Sequence, residues 1–387
     1  MEHPVTGSVP IAVREDKNLK VTLPNGETED IYYLEEDLDR AILLFYTAAT
    51  TGSSAGSEFG KLVKQAFDSP KMNNSIVDTH FSNFTPLWSY HLHTGNLIAA
   101  SNVWEQALSP ALEWEQSRSQ HVHKGTAFYF YAVTAILARD FDRGYLFLHR
   151  ALEDDVFLAG PNPGTPAERV VLMDPDDKNQ AFRNWVLTKA AVVNEALEIY
   201  QQKHQKQLDF PAFKSKFLSR PGLRASAFLF SYSIARRLNL KHSPTGTLAS
   251  EFGSQLCLNL CFDLALIIDS AIPENTAVPE KSRWKFIHKA NHLSNQAQLG
   301  LSLNQLQVIN ESFKKHPFGQ TVEELLDQTF NHSGCQPIGL SAALALAYGC
   351  RNRGAHHIAS ARIVGDRFPD MFQVLMEILF LAVETFP

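Results

Sequence analysis

Near the end of the chain, two arginines and two histidines have the types and spacing to act on a phosphodiester. The segment SAALALAYGCRNRGAHHIAS closes an apolar stretch with Arg351, Asn352 and Arg353, and His356 and His357 follow. A histidine titrating near neutral pH transfers protons, and a guanidinium offers a fixed, bidentate phosphate contact. Metal-free RNA cleavage needs such groups: a base for the 2′-OH proton, an acid for the 5′-oxygen and a cation for the phosphorane charge. Four intervening residues place Arg351 and His356 on one side of a helical or turn-like segment. The same residues have a structural reading as a helix C-cap. Basic side chains complement the dipole there and Gly354 suits the left-handed conformation, leaving His356 to cap or pack. Arg237 and His242 stand at the same spacing in RRLNLKH, without the Asn and ahead of the turn HSPTG.

The elements that must position these residues are an Ala/Leu-rich helix before them and a long final helix, Ile358 to Glu384, after them. In this setting the motif resembles the signature of the HEPN ribonucleases, an Arg followed four to six residues later by His, with a polar residue, often Asn, after the Arg. The resemblance implies that His356 transfers the proton, Arg351 contacts the scissile phosphate and Asn352 positions the histidine or the RNA. It implies a metal-independent endoribonuclease that needs no cofactor and leaves a 2′,3′-cyclic phosphate. It further implies a homodimer or higher homo-oligomer with a composite cleft, and the setting of a regulated toxin or antiviral defence effector. The apolar positions Met371, Leu375, Ile378, Leu379 and Ala382 are candidates for the dimer interface. The alternative, from a different class, is a non-catalytic helical scaffold or sensor that dimerises or binds RNA through an inactive HEPN-like domain.

Arg353 and His357 flank the motif and are expected to contact substrate. In KSRWKFIHKANHLSN, Lys281, Lys285, His288, His292 and Asn295 recur at helical spacing, a polar and partly basic stripe beside Trp284. It reads either as a track that guides single-stranded RNA toward the cleft, with Lys281 and Lys285 binding substrate, or as an ordinary solvated face. The pairs His91/His93 and His121/His123 lack Cys or carboxylate at ligand spacing and read as polar loop or helix-edge residues, so no metal is expected. The four cysteines, Cys257, Cys261, Cys335 and Cys350, form no CxxC pair and read as reduced core thiols. Phosphate-loop and HExxH patterns are absent, which removes ATPase and zincin readings.

The formal charge of −6 gives no global attraction to nucleic acid, so any RNA contact must be local. No uninterrupted apolar run reaches the length of a membrane span, and the opening residues lack a signal-peptide pattern, so a cytoplasmic protein without a membrane partner is expected. Residues 1 to 31 hold two short β-like pieces, Ile11 to Val13 and Val21 to Leu23, the second entering a Pro24-Asn25-Gly26 turn. Helical spacing follows from Ile31, with Leu34, Leu38, Ile42 and Phe45 on one face. Leu97, Ala100, Trp104, Ala107 and Leu108 recur 44 residues on as Phe141, Gly144, Leu148, Ala151 and Leu152. This pattern resembles the second helix of a tetratricopeptide repeat, with Phe128, Ala132 and Ala135 on the helix before it.

The composition turns polar and basic over 201 to 222, which sets the expected domain boundary near Arg220. The expected architecture is all-α: an N-terminal helical hairpin, repeat-like domain (1–220) with a small β embellishment, then a C-terminal HEPN-like bundle (221–387). The first domain would answer to a protein or nucleotide activator. Helices are expected at about 223–240, 248–270, 281–297, 303–314, 321–330, 338–350 and 360–385.

Overall fold

Backbone geometry follows the apolar periodicity through most of the chain. The computed structural model describes residues 18–34, 36–161, 163–174, 179–241, 251–353 and 366–386, with backbone alone at 36, 241, 251, 252 and 353. The fold is all-α apart from one antiparallel hairpin at the start. Contact density divides the chain into two units, Met1–Pro163 and Gly164–Pro387.

In the first unit, β1 (Asn18–Thr22) pairs with β2 (Thr28–Tyr32) around Gly26, whose φ of 87° suits a residue without Cβ. Ile31 therefore lies in a strand rather than opening a helix, and Ile11 to Val13 falls outside the described residues. Val21, Leu23 and Ile31 bury one face of the hairpin. The buried Asn83 extends the pairing: its Oδ1 accepts from Tyr32 N at 3.0 Å and its Nδ2 donates to Tyr32 O at 2.8 Å.

Seven helices follow: α1 (Glu36–Thr51), α2 (Gly56–Phe67), α3 (Asn74–Ser82), α4 (Thr85–His93), α5 (Leu97–Arg118), α6 (Gly125–Leu137) and α7 (Phe141–Ala159). The hairpins α4/α5 and α6/α7 repeat one turn. Asn96 (φ −88°, ψ 73°) and Asp140 (φ −88°, ψ 75°) each cap the following helix with a side-chain oxygen. Each is preceded by a left-handed residue, Gly95 or Arg139. Ala100, Trp104 and Ala107 of α5 and Gly144, Leu148 and Ala151 of α7 are buried. A Cβ on Gly144 would stand 2.5 Å from Ile136 Cγ1 and 3.3 Å from the Ala132 carbonyl, so the small residue sets how closely α6 and α7 approach.

The second unit opens with α8 (Pro166–Val171), α9 (Gln180–His204) and α10 (Phe210–Phe213), the last running into a π-helical turn at Lys214–Leu218. The bundle continues with α11 (Arg224–Lys241), α12 (Glu251–Ala271), α13 (Glu280–Arg283), α14 (Phe286–Gln296), α15 (Leu303–Lys315), α16 (Phe318–Leu326), α17 (Leu340–Arg353) and α18 (Phe368–Thr385). The division falls earlier than the compositional change near Arg220, because α9 is fastened to the last helix. Glu377, 1% exposed, accepts from Lys203 Nζ at 3.1 Å and is bonded to His204 Nε2 at 2.8 Å. Tyr200 donates to Glu384 at 2.8 Å. Lys189 of α9 is fully buried and donates to Ser231 of α11 and to the Val170 carbonyl of α8.

Met371, Leu375, Ile378, Leu379 and Ala382 are all 0% exposed. The sequence assigned that face to a dimer interface, but α18 spends it inside its own chain against α12, α17 and α9. Helix α12 carries a window, Gly253–Ala271, long and apolar enough to cross a membrane, with mean hydropathy 1.3 and 56% of it buried in the protein. All four cysteines are buried and free. Burial raises the Cys257 and Cys350 thiols to about 12, which makes them inert core groups.

Candidate functional site

Helix α17 delivers the Arg-Asn pair. The Ser341 hydroxyl accepts from Ile338 N at 2.9 Å at the helix start, and Ala342 to Ala347 are buried. Gly349 lets α17 lie directly on the Phe313 ring of α15, where a Cβ would collide. The last turn then brings Arg351 and Asn352, both half-buried, out of the core.

Arg351 Nε donates to Asp269 Oδ2 at 3.0 Å, at the end of α12. Lys289 of α14 stands 3.1 Å from the other oxygen of Asp269 and donates to its backbone carbonyl at 2.7 Å. Three helices thus meet at one carboxylate and two cations. The cations also face the negative ends of α12 and α17. Asp269 and Lys289 are each 13% exposed and Arg351 34%. Arg351 engages through Nε, and among the described residues its Nη groups have no hydrogen-bonding partner.

Lys285 directly precedes α14, one turn before Lys289, and is exposed, as is Lys281 in α13. The expected continuous stripe is broken. The chain leaves helical geometry at Trp284 and Lys285, so Lys281 sits on a separate short helix, and His292 stacks on Phe386 at 5.0 Å. Trp284 is 62% exposed. The Arg353 side chain, His356, His357 and His242 lie outside the described residues.

Sequence reading missed a second polar centre, in the first unit. The loop between α5 and α6 carries His121, His123 and Lys124 into carboxylates from three helices. His121 lies 3.1 Å from Glu115 and 3.4 Å from Asp154; His123 lies 3.1 Å from Asp155 and 3.5 Å from Asp78. Lys124, 3% exposed, pairs with Glu115 at 2.5 Å. Burial by itself would lower the His123 pKa, but its bonds to Asp155 and Asp78 outweigh burial and raise it to about 9. Sequence spacing places no carboxylate at ligand distance from His121 and His123, because Asp154 and Asp155 stand some thirty positions away and meet them only in the folded chain. Among the described residues, no group of three or more His, Cys, Asp or Glu has the arrangement of a metal site. The cluster is a network of ion pairs fastening the loop.

No family model, no curated protein and no solved structure matches the chain.

Proposed function

We propose that the chain is a metal-independent endoribonuclease whose site is built on Arg351, Asn352 and His356 and completed by a second copy. The observation that carries this reading is the junction at Arg351: two cations share one carboxylate, and the guanidinium, gripped at Nε, keeps its Nη edge for a phosphate. Following the resemblance to the HEPN ribonucleases, His356 transfers the proton, Asn352 positions the histidine or the RNA, and attack by the 2′-OH leaves a cyclic phosphate. Exposed Lys281, Lys285 and Trp284 offer charge and a stacking surface for the strand, with Arg353 and His357 as further contacts. The same resemblance supports a toxin or antiviral defence role, with the first unit answering to an activator.

A second reading, a non-catalytic helical scaffold, is favoured by one observation. The Arg351–Asp269–Lys289 junction also ties α12, α14 and α17 together, which a purely structural arginine would do. Labelled single-stranded RNA and tRNA, incubated in EDTA with the wild type, Arg351→Ala and His356→Ala, separate the two. Loss of cleavage in both variants by about a hundredfold or more supports the nuclease. Cleavage that survives both substitutions overturns the site, and a wild type inert even in cell extract favours the scaffold.

A further inference from the structure

The second arginine that shares the Arg-to-His spacing, Arg237, lines a cavity of about 210 Å³ bounded by α9, α11 and the first turn of α18. Its guanidinium lies over the Phe372 ring at 4.4 Å and the Phe368 ring at 5.8 Å. The rings cover a face of the guanidinium and take none of its five N–H donors, which lie in its own plane. Among the described residues Arg237 has no hydrogen-bond acceptor and no ion pair. Arg236 beside it, by contrast, pairs with Asp263 at 3.7 Å. Arg237 is half-buried on the cavity wall, and its donors, without an acceptor among the described residues, can take an anion from outside the chain. The positive end of α18, beginning at Phe368, adds to the same potential.

The remaining walls decide which anion fits. Glu195 of α9 lines the cavity, acts on Arg237 through its charge without pairing with it, and has no other ion pair among the described residues. Asp370 at the rim is already held by Arg367 at 3.0 Å. A doubly charged phosphate would meet these carboxylates as like charges. A molecule bearing a carboxylate for Arg237 and an ammonium for Glu195 satisfies both. Val192, Ile199 and Leu238 supply apolar lining in the same cavity. We propose that this cavity binds a small zwitterion with an aliphatic side chain, of the α-amino acid class, through Arg237 and Glu195.

L-leucine is the probe, titrated calorimetrically into the full chain beside leucine amide, which lacks the carboxylate, and N-acetyl-leucine, which lacks the cation. Saturable leucine binding that weakens about tenfold or more with either capped form, and in Arg237→Met and Glu195→Gln, is the expected result. Glu195 is exposed, so its variant keeps the test alive if the Arg237 variant does not fold. No saturable binding of leucine up to ~10 mM, or equal binding by the capped forms or by Glu195→Gln, overturns the proposal. The outcome is independent of whether RNA is cut.

Discussion

Asp269 is the residue on which the proposed site turns, because one carboxylate fixes two cations from different helices. Asp269→Asn removes that charge and lets Arg351 swing; RNA cleavage falls about tenfold or more, while the partly exposed pairs account for only about 1 kcal/mol of stability. Cleavage rates beside a thermal melt of the same variant check this, and a loss of stability without loss of rate would place Asp269 in the scaffold alone. Arg351 was legible from its spacing to His356, since a local motif survives without the fold. Asp269 was not, because it lies 82 positions away and nothing local in α12 marks it. His80 was equally silent. It is fully buried among Phe67, Phe81 and Phe84, with neither ring nitrogen hydrogen-bonded. Replacing it with leucine removes an unsatisfied polar group, and we expect a gain of about 1–3 kcal/mol in urea denaturation.

At the scale of elements, close approach is set by glycines. Gly144→Ala drives a methyl into Ile136 and the Ala132 carbonyl, and Gly349→Ala drives one into the Phe313 ring. Each should destabilise its unit by about 1–3 kcal/mol, read as a lower denaturation midpoint at unchanged slope. The α5/α7 pattern made Gly144 visible in sequence, because period and residue size together encode a packed helix face. Most helices were legible for the same reason. The break between α13 and α14 was not, since Lys281 to Asn295 keeps helical periodicity across Trp284 while the backbone does not. The apolar face of α18 was visible as apolar, but whether it meets its own chain or a second copy depends on long-range packing that periodicity does not encode.

Across the whole molecule, the change of composition near Arg220 marked the chemistry of a surface segment. The packing of α9 on α18 and of Lys189 on α11 sets the division at Pro163. Two histidines add opposed pH slopes to the stability of the first unit. Because the folded pKa of His123 is raised, its contribution is complete below pH 6.5 and disappears as pH climbs through about 9. Burial holds His80 down at about 3, so its contribution is intact above pH 6.5 and stability is lost as pH falls from 6.5 toward about 3. The two histidine contributions are both complete only near pH 6.5. Melts between about pH 4 and about pH 10 should show both slopes, with His123→Gln flattening the alkaline flank and His80→Leu the acid one. Profiles unchanged by both variants would remove these residues from the account.

The most direct measurement is the chemistry of the RNA ends produced in EDTA by the purified chain together with any activator the cell extract supplies. We expect 2′,3′-cyclic phosphate and 5′-hydroxyl ends from the wild type and none from Arg351→Ala. Ends carrying 5′-phosphate, or cleavage abolished by EDTA, would contradict a metal-free attack by the 2′-OH.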